Sequence, residues 1–228
     1  MKRDFVVAIT GASGVTYAMR LLEVLSAAGC DVQLSISPPA ATVLKEELDI
    51  TVDLDHFDVA RLRIDPEAAR QDEKLKKLRA MAGISSELSN VLSVASGELG
   101  KIHYRDHRDL MAPIASGSFP TDGMVVCPCS GSTLGAIASG INTNLIHRAA
   151  EVHLKEGRPL VLVPRETPLS PVQLENMRRV AAAGAVILPA SPGFYHKPKS
   201  IQDLVDFVVG RICDRLGVKN NLIERWSE

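Results

Sequence analysis

Five short apolar runs punctuate this chain: FVVAIT at 5–10, DVQLSIS at 31–37, GMVVCP at 123–128, PLVLVP at 159–164 and AVILP at 185–189. They are rich in Val, Ile and Leu and do not strictly alternate apolar with polar residues. A strand with one wet face alternates; a strand covered on both faces does not, and parallel strands in α/β layers are covered on both. Amphipathic stretches separate the runs, at 15–28, 38–47, 130–139, 146–156, 171–183 and 200–216. Strands alternating with helices predict a doubly wound parallel sheet. At 228 residues the chain can bury one sizeable core, so a single domain over 1–228 is expected. The stretch 56–110 breaks the rhythm, charged through DPEAARQDEKLKKLR and then apolar at mixed helical spacing. It reads as one or two helices inserted at the rim of the sheet.

Charge and cysteine usage exclude several classes. Lys and Arg number 26 against 27 Asp and Glu, which leaves no broad basic footprint for nucleic acid or an anionic membrane. No apolar run approaches the roughly 18 residues a membrane span needs. The opening MKRDFVVAITGASG is too briefly apolar for a secretory signal, so a cytoplasmic protein is expected. Cys127 and Cys129 stand too close together for a zinc knuckle and have no second pair at ligand spacing. His103 and His107 have helical spacing but no further ligand cluster. No metal is expected.

Ligands of such sheets bind beyond the carboxyl ends of the strands, near a topological switch point. Three loops fall there. ITGASGVTYA places Gly11, Ala12, Ser13 and Gly14 between the first strand and its helix, where small residues let a ligand reach the backbone and the helix terminus favours negative charge. CPCSGSTLGAIASG sets Ser130, Gly131, Ser132 and Thr133 at the start of another helix. One hydroxyl would suffice as a cap; three suggest a ligand. LVLVPRETPLS ends a buried strand in Arg165 and Glu166 side by side. As a dipeptide this is either a surface ion pair or a bidentate cation beside a proton-transfer group.

The first loop also imitates a dehydrogenase fingerprint, and YHKPK supplies a Tyr-x-x-x-Lys spacing at Tyr195 and Lys199. That reading fails on physics. Pro198 would break the helical turn the pair needs, and Ser37 stands where a nicotinamide site wants an acidic residue.

Together the loops resemble those of the UbiX-type flavin prenyltransferases, once described as aromatic-acid decarboxylases. The resemblance runs through TGASG, MAPIASGS at 111–118, CPCSGSTLGAIASG, NLIHRAAEVHLKEGRPLVLVPRETPLS, GAVILPASPGFYHKP and VDFVVGRI. It implies a Rossmann-like, flavodoxin-like three-layer α/β/α fold, in agreement with the doubly wound reading. It implies that reduced FMN is a substrate, joined at N5 and C6 to the dimethylallyl group of dimethylallyl phosphate. The prenylated FMN would then serve a UbiD-type decarboxylase, and no metal would be required. Carried over residue by residue, Gly11, Ala12, Ser13, Ser37, Ser130, Gly131, Ser132, Thr133 and Arg165 would bind FMN. Lys155, Tyr195 and Arg211, with Arg148 as helper, would hold the prenyl phosphate. Glu166 would remove a proton from the flavin as the fourth ring forms, while Glu47 with Ser13 would manage protons near the phosphate.

The chain departs from the family pattern at Leu110, where some relatives carry a tryptophan whose face could steady an allylic cation. It departs again at His147, which replaces an acidic residue often found before the helix arginine, and in the length of 56–110. The resemblance implies a large homo-oligomer, often a dodecamer, with sites at protomer junctions. The alternatives are an FMN-dependent cysteine-type decarboxylase, which would share the fold and FMN but not the chemistry, and a non-enzymatic flavin-binding protein, which would have no need for Glu47, Glu166 and a second anion pocket.

Overall fold

The computed structural model of the protein describes residues 2–62, 64, 71–84 and 98–224. A single sheet of six parallel strands organises them: β1 (Asp4–Ile9), β2 (Asp31–Ile36), β3 (Ile102–Tyr104), β4 (Gly123–Cys129), β5 (Leu160–Pro164) and β6 (Val186–Ile187), in the order β3-β2-β1-β4-β5-β6. Without the three-residue β3, the other five keep the flavodoxin-like order; with it, the order is that of the Rossmann sheet. The helices are α1 (Val15–Ala27), α2 (Pro38–Leu48), α3 (Glu73–Met81), α4 (Gly131–Ala138), α5 (Leu145–Lys155), α6 (Pro171–Ala182) and α7 (Ile201–Leu216). Among the described residues no helix is long and apolar enough to cross a membrane.

Helix starts follow from local chemistry. Ser37, Ser130, Asn144, Ser170 and Ser200 cap α2, α4, α5, α6 and α7, each accepting a backbone N–H inside the first turn. The core forms two layers because successive strand residues face opposite ways. Phe5, Val7 and Ile9 of β1 pack with α1 and α7; Val6 and Ala8 pack with α4 and α5.

The stretch 56–110 is not wholly helical. Residues 63, 65–70 and 85–97 of that expected insertion lie outside the described residues, but the remainder holds α3 and also β3, which pairs with β2 through Val32 and Ile102. Only Ile102 and Tyr104 turn inward, with His103 exposed between them. An alternation of three residues is too short to read as a strand.

Charge ties α3 to the core. Asp206 of α7 is fully buried and accepts from Arg20 Nε of α1 at 2.7 Å and from Lys74 Nζ of α3 at 2.8 Å. Arg20 also reaches Asp72, the cap of α3, at 2.9 Å. Removing one partner of a buried pair leaves a desolvated charge unmatched. Replacing Asp206→Ala is therefore expected to cost roughly 3–5 kcal/mol in urea unfolding. Glu175→Ala, which removes an exposed pair with Arg178 and Arg179, is expected to leave the midpoint unmoved.

A smaller polar join closes the sheet at its centre. Thr10 is 1% exposed; its hydroxyl donates to the Pro128 carbonyl at 2.7 Å and accepts from the Ser130 N–H at 2.8 Å. Pro128 lies where the pairing of β4 with β5 shifts register, between Val126 and Cys129. Thr10→Val keeps the shape but orphans the Ser130 N–H, with an expected loss of about 1–3 kcal/mol by the same unfolding measurement.

Candidate active site

The carboxyl ends of β1, β2, β4 and β5 bring the expected flavin residues into one neighbourhood. The Gly11–Gly14 loop leaves β1 and opens α1, and Ser37 donates its N–H to the Ile9 carbonyl at 3.0 Å, so β2 ends against β1. Gly11 has a packing reason: a Cβ there would collide with the Cβ of Pro39 in the first turn of α2. Gly14 has a conformational one, a φ of 101°, in the region that favours glycine. A Cβ on Gly14 would also lie 3.9 Å from Cγ of Arg165, so the arginine following β5 reaches across β4 to the first loop.

The hydroxyl loop is drawn tight. Ser130 Oγ accepts the Thr133 N–H at 3.3 Å and bonds the Thr133 hydroxyl at 3.0 Å and that of Ser132 at 3.1 Å. Capping and hydroxyl clustering thus coexist. Arg165 is half-buried, and its Nε is buried without a hydrogen-bond partner among the described residues. An unpartnered buried guanidinium N–H beside a loop of hydroxyls is the donor set a flavin's phosphate and ring carbonyls require, so the residues present fit FMN. Arg165 and Glu166 are not paired with each other; Glu166 is exposed and accepts from Gln173 Nε2 at 3.2 Å.

At the amino terminus of α1 the negative charge is the protein's own. Both carboxylate oxygens of Glu47, in α2, accept from the Gly14 N–H at 3.1 and 2.9 Å, and one also accepts from the Val15 N–H at 3.1 Å. The helix terminus expected to favour a ligand's anion is satisfied by a side chain standing beside Ser13.

The four residues expected around a prenyl phosphate are split. Arg148 and Lys155 belong to α5, which packs with Val6 and Ala8. Arg148 Nε donates to the Ala115 carbonyl at 3.0 Å and its guanidinium pairs with Glu151; Lys155 pairs with Glu156 at 2.6 Å. Arg211 belongs to α7 on the opposite face, and Tyr195 packs edge-on against Phe207 of the same helix at 5.6 Å. Within one chain the sheet stands between the two pairs. The Tyr195–Arg211 side does adjoin the flavin side. A cleft of about 380 Å³ lined by Arg165, Glu166, Pro189 and Ser191 shares its last two residues with a groove of about 500 Å³ lined also by Phe207 and Arg211.

Residues 188–199 form no helix, so Tyr195 and Lys199 do not share a helical turn. Leu110 is 48% exposed in the turn before Met111. His147 sits in the first turn of α5, and burial lowers its pKa below the usual imidazole value. Cys127 and Cys129 are free thiols inside β4; burial pushes the latter up to about 12. Two residues join the site that the loops alone do not single out, Thr10 and Gln173. Thr10 carries no signal of its own, but Ser170 followed three residues later by Gln173 is a capping-box pattern that a sequence shows.

Comparison with known proteins shows the family and the fold. The family model described as Flavoprotein matches residues 1–213. The flavin prenyltransferase UbiX of Pseudomonas aeruginosa is 43% identical over 97% of this chain and 92% of its own length. A crystal structure of AnUbiX (PadA1), in complex with FMN and dimethylallyl pyrophosphate, superposes with a TM-score of 0.76 at 37% identity, covering 100% of this chain and 99% of that one. A dodecameric FMN-dependent UbiX-like decarboxylase from Escherichia coli O157:H7 gives 0.74 at 32% identity, covering 99% and 100%. The chain belongs to the flavoprotein family, among the UbiX flavin prenyltransferases.

Proposed function

We propose that this protein joins the dimethylallyl group of dimethylallyl phosphate to reduced FMN, making prenylated FMN for a UbiD-type decarboxylase. The observation that carries the reading is the pair at the end of β5, an unpartnered buried arginine nitrogen beside an exposed carboxylate. When bound, FMN supplies the reduced ring whose N5 and C6 take the five-carbon unit. Gly11, Ala12, Ser13, Ser37, the Ser130–Thr133 loop and Arg165 hold and orient it. Glu166 accepts the proton leaving C6 as the new ring closes. Glu47, fixed by two backbone N–H groups next to Ser13, manages protons on the phosphate side. Lys155, Tyr195 and Arg211, with Arg148, match the charge that develops on the departing phosphate.

Because the sheet separates Arg148 and Lys155 from Tyr195 and Arg211, we place the complete phosphate pocket at a junction between copies of the chain. The dodecameric relative supports that assembly. A cytoplasmic location is part of the same reading, in keeping with four free, buried cysteines.

Anaerobic incubation of the protein with reduced FMN and dimethylallyl phosphate should yield a flavin heavier by one five-carbon unit, read by mass spectrometry. Glu166→Gln and Arg211→Ala should abolish the gain, and unmodified FMN from the wild type would overturn the reading. The junction has its own check. Lys155→Ala and Arg211→Ala variants, each inactive alone, should recover activity when dissociated and reassembled together, since some mixed junctions then hold intact pairs. No recovery would place the pocket within one chain.

A further inference from the structure

We infer that Gln173 is a positioning residue for Glu166, a role that rests on the proton-transfer function proposed for that carboxylate. Gln173 is the third residue of α6 and closes a capping box with Ser170. The Ser170 hydroxyl accepts the Gln173 N–H at 3.2 Å, and Gln173 Oε1 accepts the Ser170 N–H at 2.9 Å. A backbone N–H can only donate, so the amide oxygen must face Ser170 and the amide NH2 must face away. That NH2 donates to Glu166 Oε2 at 3.2 Å. The orientation of the side chain is therefore set by the helix cap, and the carboxylate inherits it.

The neighbouring helix is shaped for the same amide. A Cβ on Gly131 would lie 3.0 Å from Gln173 Nε2, tighter than ordinary contact, so glycine at the first position of α4 leaves the NH2 its place. Gly131 thus links the hydroxyl loop to the group that holds Glu166.

Capping boxes close equally well with glutamate. Structure alone would accept Glu at 173; the positioning role would not, because a second carboxylate would replace the donor with a like charge. This separates the two roles cleanly. Gln173→Glu should preserve the thermal midpoint and FMN affinity while lowering the rate of prenylation at neutral pH roughly tenfold to a hundredfold. The sign follows from the like-charge pair. Two adjacent carboxylates hold a proton to higher pH, so a base among them is lost at neutral pH and recovered as pH rises. The acid limb of the rate profile should move upward. Gln173→Leu, which removes the donor without adding charge, should lower the rate and move the acid limb upward by less than Gln173→Glu does, because a hydrogen bond to the ionised carboxylate is lost. Gln173→His, which can restore an N–H donor, should recover part of the rate.

The test is single-turnover prenylation across pH for the full chain and these variants. It is paired with pH-titrated infrared spectra of the carboxylate bands, using Glu166→Gln as the blank. The infrared titration reads Glu166 whether or not flavin is modified. Unmodified FMN from the wild type would sink the prenyltransferase reading, while an infrared transition moved to higher pH in Gln173→Glu would still support the clamp. A Gln173→Glu protein whose Glu166 titration and rate profile match the wild type would overturn the positioning role and leave Gln173 a helix cap.

Discussion

β1 is the strand from which the site hangs, because the order in which strands are added to the sheet reverses there. Its pairing with β2 carries the chain through α1 to one side, while its pairing with β4 begins the other half of the sheet. Connections that part at one strand end leave a crevice that neither half can fill. Thr10 fixes how wide that crevice is by bonding the end of β1 to Pro128 and Ser130 at the end of β4. The loops that meet there inherit that spacing: Gly11–Gly14 from β1, Ser130–Thr133 from β4, and Arg165 from one strand further on.

Two carboxylates frame the crevice and are held in different ways. Glu47 is gripped by backbone N–H groups of a helix terminus, donors that cannot rotate, and the helix dipole acts in the same direction. Glu166 is held by one side-chain amide whose own geometry depends on a helix cap. A rigid grip suits the part proposed for Glu47, a carboxylate that must stay aligned while protons move beside the phosphate. A single adjustable donor suits the proton transfer proposed for Glu166, since the amide can relax as the charge disappears.

Much of this was legible in the residues. The helix expected at 15–28 is Val15–Ala27, and that expected at 171–183 is Pro171–Ala182, because caps and apolar faces are local properties. The doubly wound parallel sheet follows from strands without alternation separated by helices. What the sequence did not show depends on contacts between distant segments. β3 is a strand only because Val32, Gln33 and Leu34 offer it an edge. Glu47 occupies the terminus of α1 across 33 residues of chain, and nothing in KEELD announces that. The separation of Arg148 and Lys155 from Tyr195 and Arg211 is decided by which face of the sheet each helix covers, a choice invisible in motif order.

That separation also divides the labour of the molecule. The residues expected to grip the flavin lie at adjoining strand ends of one chain. The residues expected to balance the leaving phosphate are distributed over two faces, and no rotamer brings them together through a sheet packed on both sides. Cations gathered without an anion would repel one another and would have to be desolvated unpaired. Within each copy they are instead paired with their own acids, Arg148 with Glu151, Lys155 with Glu156 and Arg211 with Asp214. At the junction proposed above, an anion seated between copies would draw them from these local partners, so the cationic pocket would be assembled only where its substrate lies.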